Sequence, residues 1–81
     1  MTVKEFLSNI EGISTVGIYD KDGNWFETEA DAITILKYID DKVLNVKVWI
    51  YDENAKTYEG NDYMAHRIKA NIYIDREKVA E

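Results

Sequence analysis

The 81-residue chain predicts an α+β fold, with two helices packed on one face of an antiparallel sheet of three to five strands. Three observations predict it. Two segments carry a single apolar stripe at helical spacing, each behind a capping signal. Two long segments alternate apolar and polar residues with period two. Each of these elements is apolar on one side only, so both helices find cover on the same side of one sheet.

The element order is α-β-β-α-β-(β)-β. Thr2-Val3-Lys4-Glu5 reads as a capping box, in which hydroxyl and carboxylate each satisfy the other residue's amide. Val3, Phe6, Leu7 and Ile10 then fall on one helical face, and Gly12 stands where a left-handed residue would close that helix. Ser14 to Asp20 alternates as a strand, in which Gly17 points to a bulge or a close neighbour. Lys21-Asp22-Gly23 is the turn. A three-residue loop pairs Ile18 with Phe26 and Tyr19 with Trp25, whereas a two-residue loop would put Glu27 on the core face.

The second helix is expected to start at Thr28-Glu29-Ala30-Asp31, with Ala32, Ile35, Leu36 and Ile39 as its stripe. Leu44, Val46, Val48 and Ile50 then face one way along a strand, and Asn45, Lys47, Trp49 and Tyr51 the other. The last strand answers with Ile68, Ala70, Ile72 and Ile74 inward and Arg67, Lys69, Asn71 and Tyr73 outward. Residues 52 to 65 are polar and weakly patterned, which leaves open a short strand, a helical turn or a loop. Residues 76 to 81 are expected to fray. Nothing divides the chain, so residues 1 to 81 are expected to be one domain.

The sequence spells I-Y-D-K-D-G-N-W-F-E at 18 to 27 and I-Y-D-E-N-A-K-T-Y-E at 50 to 59. An EF-hand reading fails on position. With Gly23 as the invariant glycine, the first ligand position falls on Ile18 and the preceding segment is a strand. Duplication of a helix-hairpin unit is the alternative to shared strand-turn chemistry, in which isoleucine goes inward, tyrosine outward, and aspartate starts the turn.

Composition narrows the function. A net charge of -6 opposes general nucleic-acid binding, which depends on neutralising phosphates. There is no cysteine, and the lone His66 has no nucleophile beside it in any recognised pattern. The four glycines are too scattered to cradle a phosphate. No metal site, cofactor or enzymatic activity is therefore expected. No apolar run approaches the roughly 18 residues of a membrane span, and the first residues lack the order of a signal peptide. A cytoplasmic setting is the expectation.

What remains is surface. With the helices on one face of the sheet, Tyr19, Trp25, Trp49, Tyr51 and Tyr73 emerge on the other, together with Lys47, Arg67 and Lys69. Aromatic residues favour strands and shield one another there, but a contiguous patch marks a docking surface. The expectation is a protein-binding module that docks a protein or a second copy of itself. Trp49 and Trp25 are its anchors; Tyr19, Tyr51 and Tyr73 surround them, and Arg67 is the polar handle. The alternative is an acidic surface built from Asp20, Asp22, Glu27, Glu29 and Asp31 that inhibits a nucleic-acid enzyme by occupying its basic groove.

The opening T-V-K-E-F-L, the strand V-G-I-Y-D and, more loosely, V-L-N-V-K-V resemble a group of small uncharacterised proteins from phages and other mobile elements of Gram-positive bacteria. The resemblance implies a cytosolic accessory protein, with inhibition of host defence as one job. Small acidic anti-defence proteins, anti-CRISPR proteins among them, are similar in size and charge. No site residue is carried over from that resemblance.

Overall fold

The Glu5 amide donates to the Thr2 hydroxyl at 3.2 Å and the Thr2 amide to the Glu5 carboxylate at 3.1 Å, which fixes the start of α1, Val3–Ser8. The computed structural model describes residues 1–76. α1 stops short of its apolar stripe. Asn9 caps it, donating from its side-chain amide to the Glu5 carbonyl, and Gly12 takes its left-handed φ of 84° in the loop beyond.

Strands β1 (Thr15–Tyr19) and β2 (Trp25–Glu27) form the first hairpin. Tyr19 pairs with Trp25, as the three-residue turn predicts, but Ile18 faces Glu27 and not Phe26. A bulge accounts for the difference: Phe26 is the extra residue. It still reaches the core, where its ring meets Tyr38 at 5.5 Å.

Helix α2 is one turn, Ala32–Ile35, followed by a 3-10 turn at Leu36–Tyr38. Asp31 caps it, its carboxylate accepting from the Thr34 amide at 2.7 Å, so the helix begins later than the Thr28 signal suggests. Tightening to three residues per turn also redraws the inner face. Ile35 packs on the core and Tyr38 is buried, while Leu36 of the expected stripe is exposed.

Strands β3 (Val43–Lys56) and β4 (Asp62–Ile74) form one long hairpin. Their ladder runs unbroken from Asn45↔Tyr73 to Lys56↔Asp62, so the polar stretch 52 to 65 is mostly strand, closed by a turn over residues 57–61. The alternation at the start of β3 is broken by a bulge. Val43 pairs with Ile74 and joins the core; Leu44 is displaced to the surface.

The sheet order is β2-β1-β4-β3, and β1 runs parallel to β4. The sheet is thus mixed, not antiparallel throughout. Period-two patterning is blind to strand direction. The chain travels through β2, α2 and β3 between β1 and β4, a connection long enough to permit a parallel pair.

The core lies on one side of this sheet. Val16 and Ile18 of β1 stand beside Ala70 and Ile72 of β4, and with Ile74 they meet Val3, Phe6 and Leu7 of α1 and Ile35 and Tyr38 of the second helical segment. Burial pushes the Tyr38 phenol above its ordinary value, and the Glu27 charge adds to the shift. Arg76 stacks over the Tyr38 ring and pairs with Asp41 at 2.8 Å. The fraying expected over 76 to 81 otherwise lies outside the described residues.

β1 spans only Lys69 to Tyr73 of β4. Beyond that point β3 and β4 continue as a two-stranded arm, and the long axis of the molecule reaches 45 Å. Among the described residues no helix is long and apolar enough to cross a membrane.

Candidate ring-bearing sheet face

The face turned away from the helices is built in rows by the strand register. Trp25, Tyr19 and Tyr73 occupy one row across β2, β1 and β4. The Tyr19 and Tyr73 rings stack with centroids 5.3 Å apart. The next row is Gly17, Asn71 and Lys47, and the third is Thr15, Lys69 and Trp49. Arg67 and Tyr51 form a fourth. All six predicted docking residues therefore lie on one face, as two ring clusters separated by a polar row.

Cations bridge the gap. The Lys47 ammonium stands over Tyr73 at 5.3 Å from the ring centre, and that of Lys69 over Trp49 at 5.8 Å. Such contacts hold a positive charge against the negative face of each ring. Trp25 remains 55% exposed and Trp49 42%. Tyr51 is half-buried, and its hydroxyl reaches across β4 to within 3.2 Å of the Thr15 hydroxyl. Arg67 is held by Glu53 at 3.1 Å, so its guanidinium already has one partner within the chain.

Gly17 is explained by a close neighbour, not a bulge. A Cβ there would stand 2.6 Å from Asn71 Oδ1 and 2.9 Å from the Tyr19 ring. Asn71 is only 5% exposed, and its Oδ1 has no hydrogen-bond partner among the described residues. The missing side chain at position 17 lets that amide and the Tyr19 ring lie close to the sheet.

Two features of this face escape sequence reasoning. Tyr63 shares the parity of Arg67 and Tyr73 on β4, which adds a further exposed ring at the end of the arm. Counting in steps of two back from Tyr73 would have found it, had residues 62 to 65 been read as strand. The second is a shallow depression of about 340 Å³ lined by Lys21, Asp22, Leu44, Asn45, Lys47 and Tyr73. It depends on the Leu44 bulge and on the first turn, neither of which alternation encodes.

The acidic set is not uniformly exposed. Asp20 is 1% exposed and spent on its own turn, accepting from the Asp22 and Asn24 amides and from the Asn24 side chain. Asp31 caps α2, and the Thr34 amide holds its carboxyl below the usual range. Glu27 is half-buried on the bulged strand, which leaves Asp22, Glu29 and Asp31 exposed. Among the described residues no three His, Asp or Glu side chains converge to hold a metal ion. No family model, curated protein or solved structure matches the chain.

Proposed function

We propose that this chain is a non-enzymatic protein-binding module that docks its partner through the ring-bearing face of its sheet. One observation carries the reading: two half-exposed tryptophans, Trp25 and Trp49, stand with Tyr19, Tyr51 and Tyr73 on the face that the helices leave open. Tryptophan and tyrosine release most binding energy when a partner removes them from water, because large rigid rings bury area at little entropic cost. Lys47, Lys69 and Arg67 between the rings give the face a positive character against the -6 net charge, so an acidic or carbonyl-rich protein surface fits it. The resemblance of T-V-K-E-F-L and V-G-I-Y-D supports a phage or mobile-element accessory protein acting in the host cytoplasm.

The test is capture from a host extract by three proteins: wild type, Trp25→Ala/Trp49→Ala, and Ile33→Ala/Leu36→Ala on the exposed side of α2 and the 3-10 turn after it. The ring variant should lose a protein that the other two retain, with its circular dichroism unchanged. Equal capture by all three contradicts the reading.

A further inference from the structure

We infer that the open edge of β3 is a self-recognition edge, on which a second copy of this chain adds its own β3 antiparallel about a two-fold axis at Ile50. β3 is the last strand in the sheet order. The first residues of the chain cover only its beginning, where the Val43 amide donates to the Met1 carbonyl and Thr2 bridges Lys42. Past the bulge, two hydrogen bonds fix which way its main chain points. The Thr57 amide donates to the Asn61 carbonyl, so odd-numbered residues of the arm turn toward β4. The Ile68 carbonyl accepts from the Ser14 amide on its other side, so Ile68 and its cross-strand neighbour Ile50 turn their main-chain groups away from each other. Val46, Val48, Ile50, Asp52 and Asn54 therefore offer amides and carbonyls along the free edge.

The side chains decide what fits there. Counting outward from Ile50, Trp49 and Tyr51 stand one residue away, and Lys47 and Glu53 three residues away with opposite charge. An antiparallel partner centred on Ile50 sets Lys47 opposite Glu53 of the second copy, and Trp49 opposite its Tyr51. Both pairs lie on the ring-bearing side. On the other side the two Ile50 side chains, each 68% exposed in the single chain, meet on the axis. Asp52, next along, falls opposite Val48 of the second copy and is already held by His66 of its own chain.

Neighbouring registers lose this match. A centre at Trp49 sets Lys47 against Tyr51 and Glu53 against Asn45, and a centre at Tyr51 sets Lys47 against Ala55 and Glu53 against Trp49, so both lose the ion pairs. Parallel stacking in register sets Lys47 on Lys47 and Glu53 on Glu53. Charges on an edge strand ordinarily deter pairing, and here the Ile50-centred register sets them opposite with contrary sign. The result is a continuous eight-stranded sheet joined by roughly ten main-chain hydrogen bonds, two for each of five outward-facing residue pairs. Both ring-bearing faces then lie on the same side, as one surface.

Sedimentation velocity across a concentration series tests this, and it stands on the strand edge, apart from the docking reading. Wild type should form a dimer. Lys47→Glu and Glu53→Lys should each weaken it about tenfold, since each turns both cross-copy ion pairs into repulsions, and the double variant should recover most of the loss. Val48→Pro removes an outward amide and no bond to β4, so it should give a folded monomer. The chain has no cysteine, so oxidation of single-cysteine variants reads the register. Ile50→Cys should link two copies, and Asn54→Cys should not. A wild type that stays monomeric at every concentration overturns the inference. So does a double charge variant no better than the singles, or a dimer that Val48→Pro leaves intact and Ile50→Cys does not link. The last result would move self-association to another surface and leave the ring-bearing face as the docking candidate.

Discussion

β3 and β4 pass through two environments, and the contrast between them explains most of the molecule. In the body, Ile72 and Ile74 are fully buried between the sheet and the helical segments. In the arm, Ile50 and Met64 occupy the same side of the same strands and face solvent. Alternation continues across the boundary; what stops is the cover supplied by β1, α1 and α2. A ladder of main-chain hydrogen bonds can thus outrun the core that stabilises it. The arm has no helix over one side and carries Tyr51 and Tyr63 on the other.

Substitutions at matched positions should break this contrast most visibly. Ile72→Ala leaves a cavity in the core and should cost about 2–5 kcal/mol in chemical denaturation. Ile50→Ala, on the uncovered side of the arm, should change the stability of the monomer by no more than about 0.5 kcal/mol. Equal losses would mean that the arm is as enclosed as the body.

A smaller effect is expected where the body supports the open face. Gly17→Ala forces a methyl against Asn71 and the Tyr19 ring, and should cost about 1–3 kcal/mol, the range for overpacking. Its signature is a change in the chemical shifts of Tyr19 and Tyr73, with those of the arm unmoved. Asp20→Ala leaves the Asp22 and Asn24 amides without their buried acceptor and should cost about 1–3 kcal/mol.

The smallest effects belong to the helix caps. Thr2→Ala removes one half of the capping box and should cost about 1 kcal/mol. Hydrogen bonds from the Thr2 amide and hydroxyl hold the Glu5 carboxyl below its ordinary range, and the Thr34 amide does the same for Asp31. Both groups bind protons less readily folded than unfolded. Their contribution is therefore complete above the ordinary carboxylate range and is lost as pH falls through the depressed folded values. Carboxyl NMR titration should show the Glu5 value rising toward normal in Thr2→Ala, with Asp31 unchanged.

Much of this was legible in the sequence, and the losses have identifiable causes. The capping box at Thr2 and Glu5 is local chemistry and stands as read. The parity of Tyr19, Trp49, Tyr51 and Tyr73 is likewise local, which is why the ring-bearing face could be named. Strand direction was not legible, because Val16 and Ile18 alternate identically in parallel and antiparallel neighbours. Residues 52 to 65 look structureless because most of the arm meets water, and burial of Ala65 and partial burial of Ala55 are too little to impose a pattern on them. Leu44 and Phe26 were misplaced by bulges, each of which shifts the count by one. Among the acidic candidates Asp20 is buried in its own turn, a use that composition does not distinguish from surface charge.

The central claim is that the helices enclose one side of the sheet and leave the ring-bearing side open to solvent. Acrylamide quenching of the two single-tryptophan proteins, Trp25→Phe and Trp49→Phe, measures it directly. The account predicts that the tryptophan remaining in each folded protein is readily quenched. Protection of both indoles in the folded monomer, at the level of a buried core residue, would contradict it.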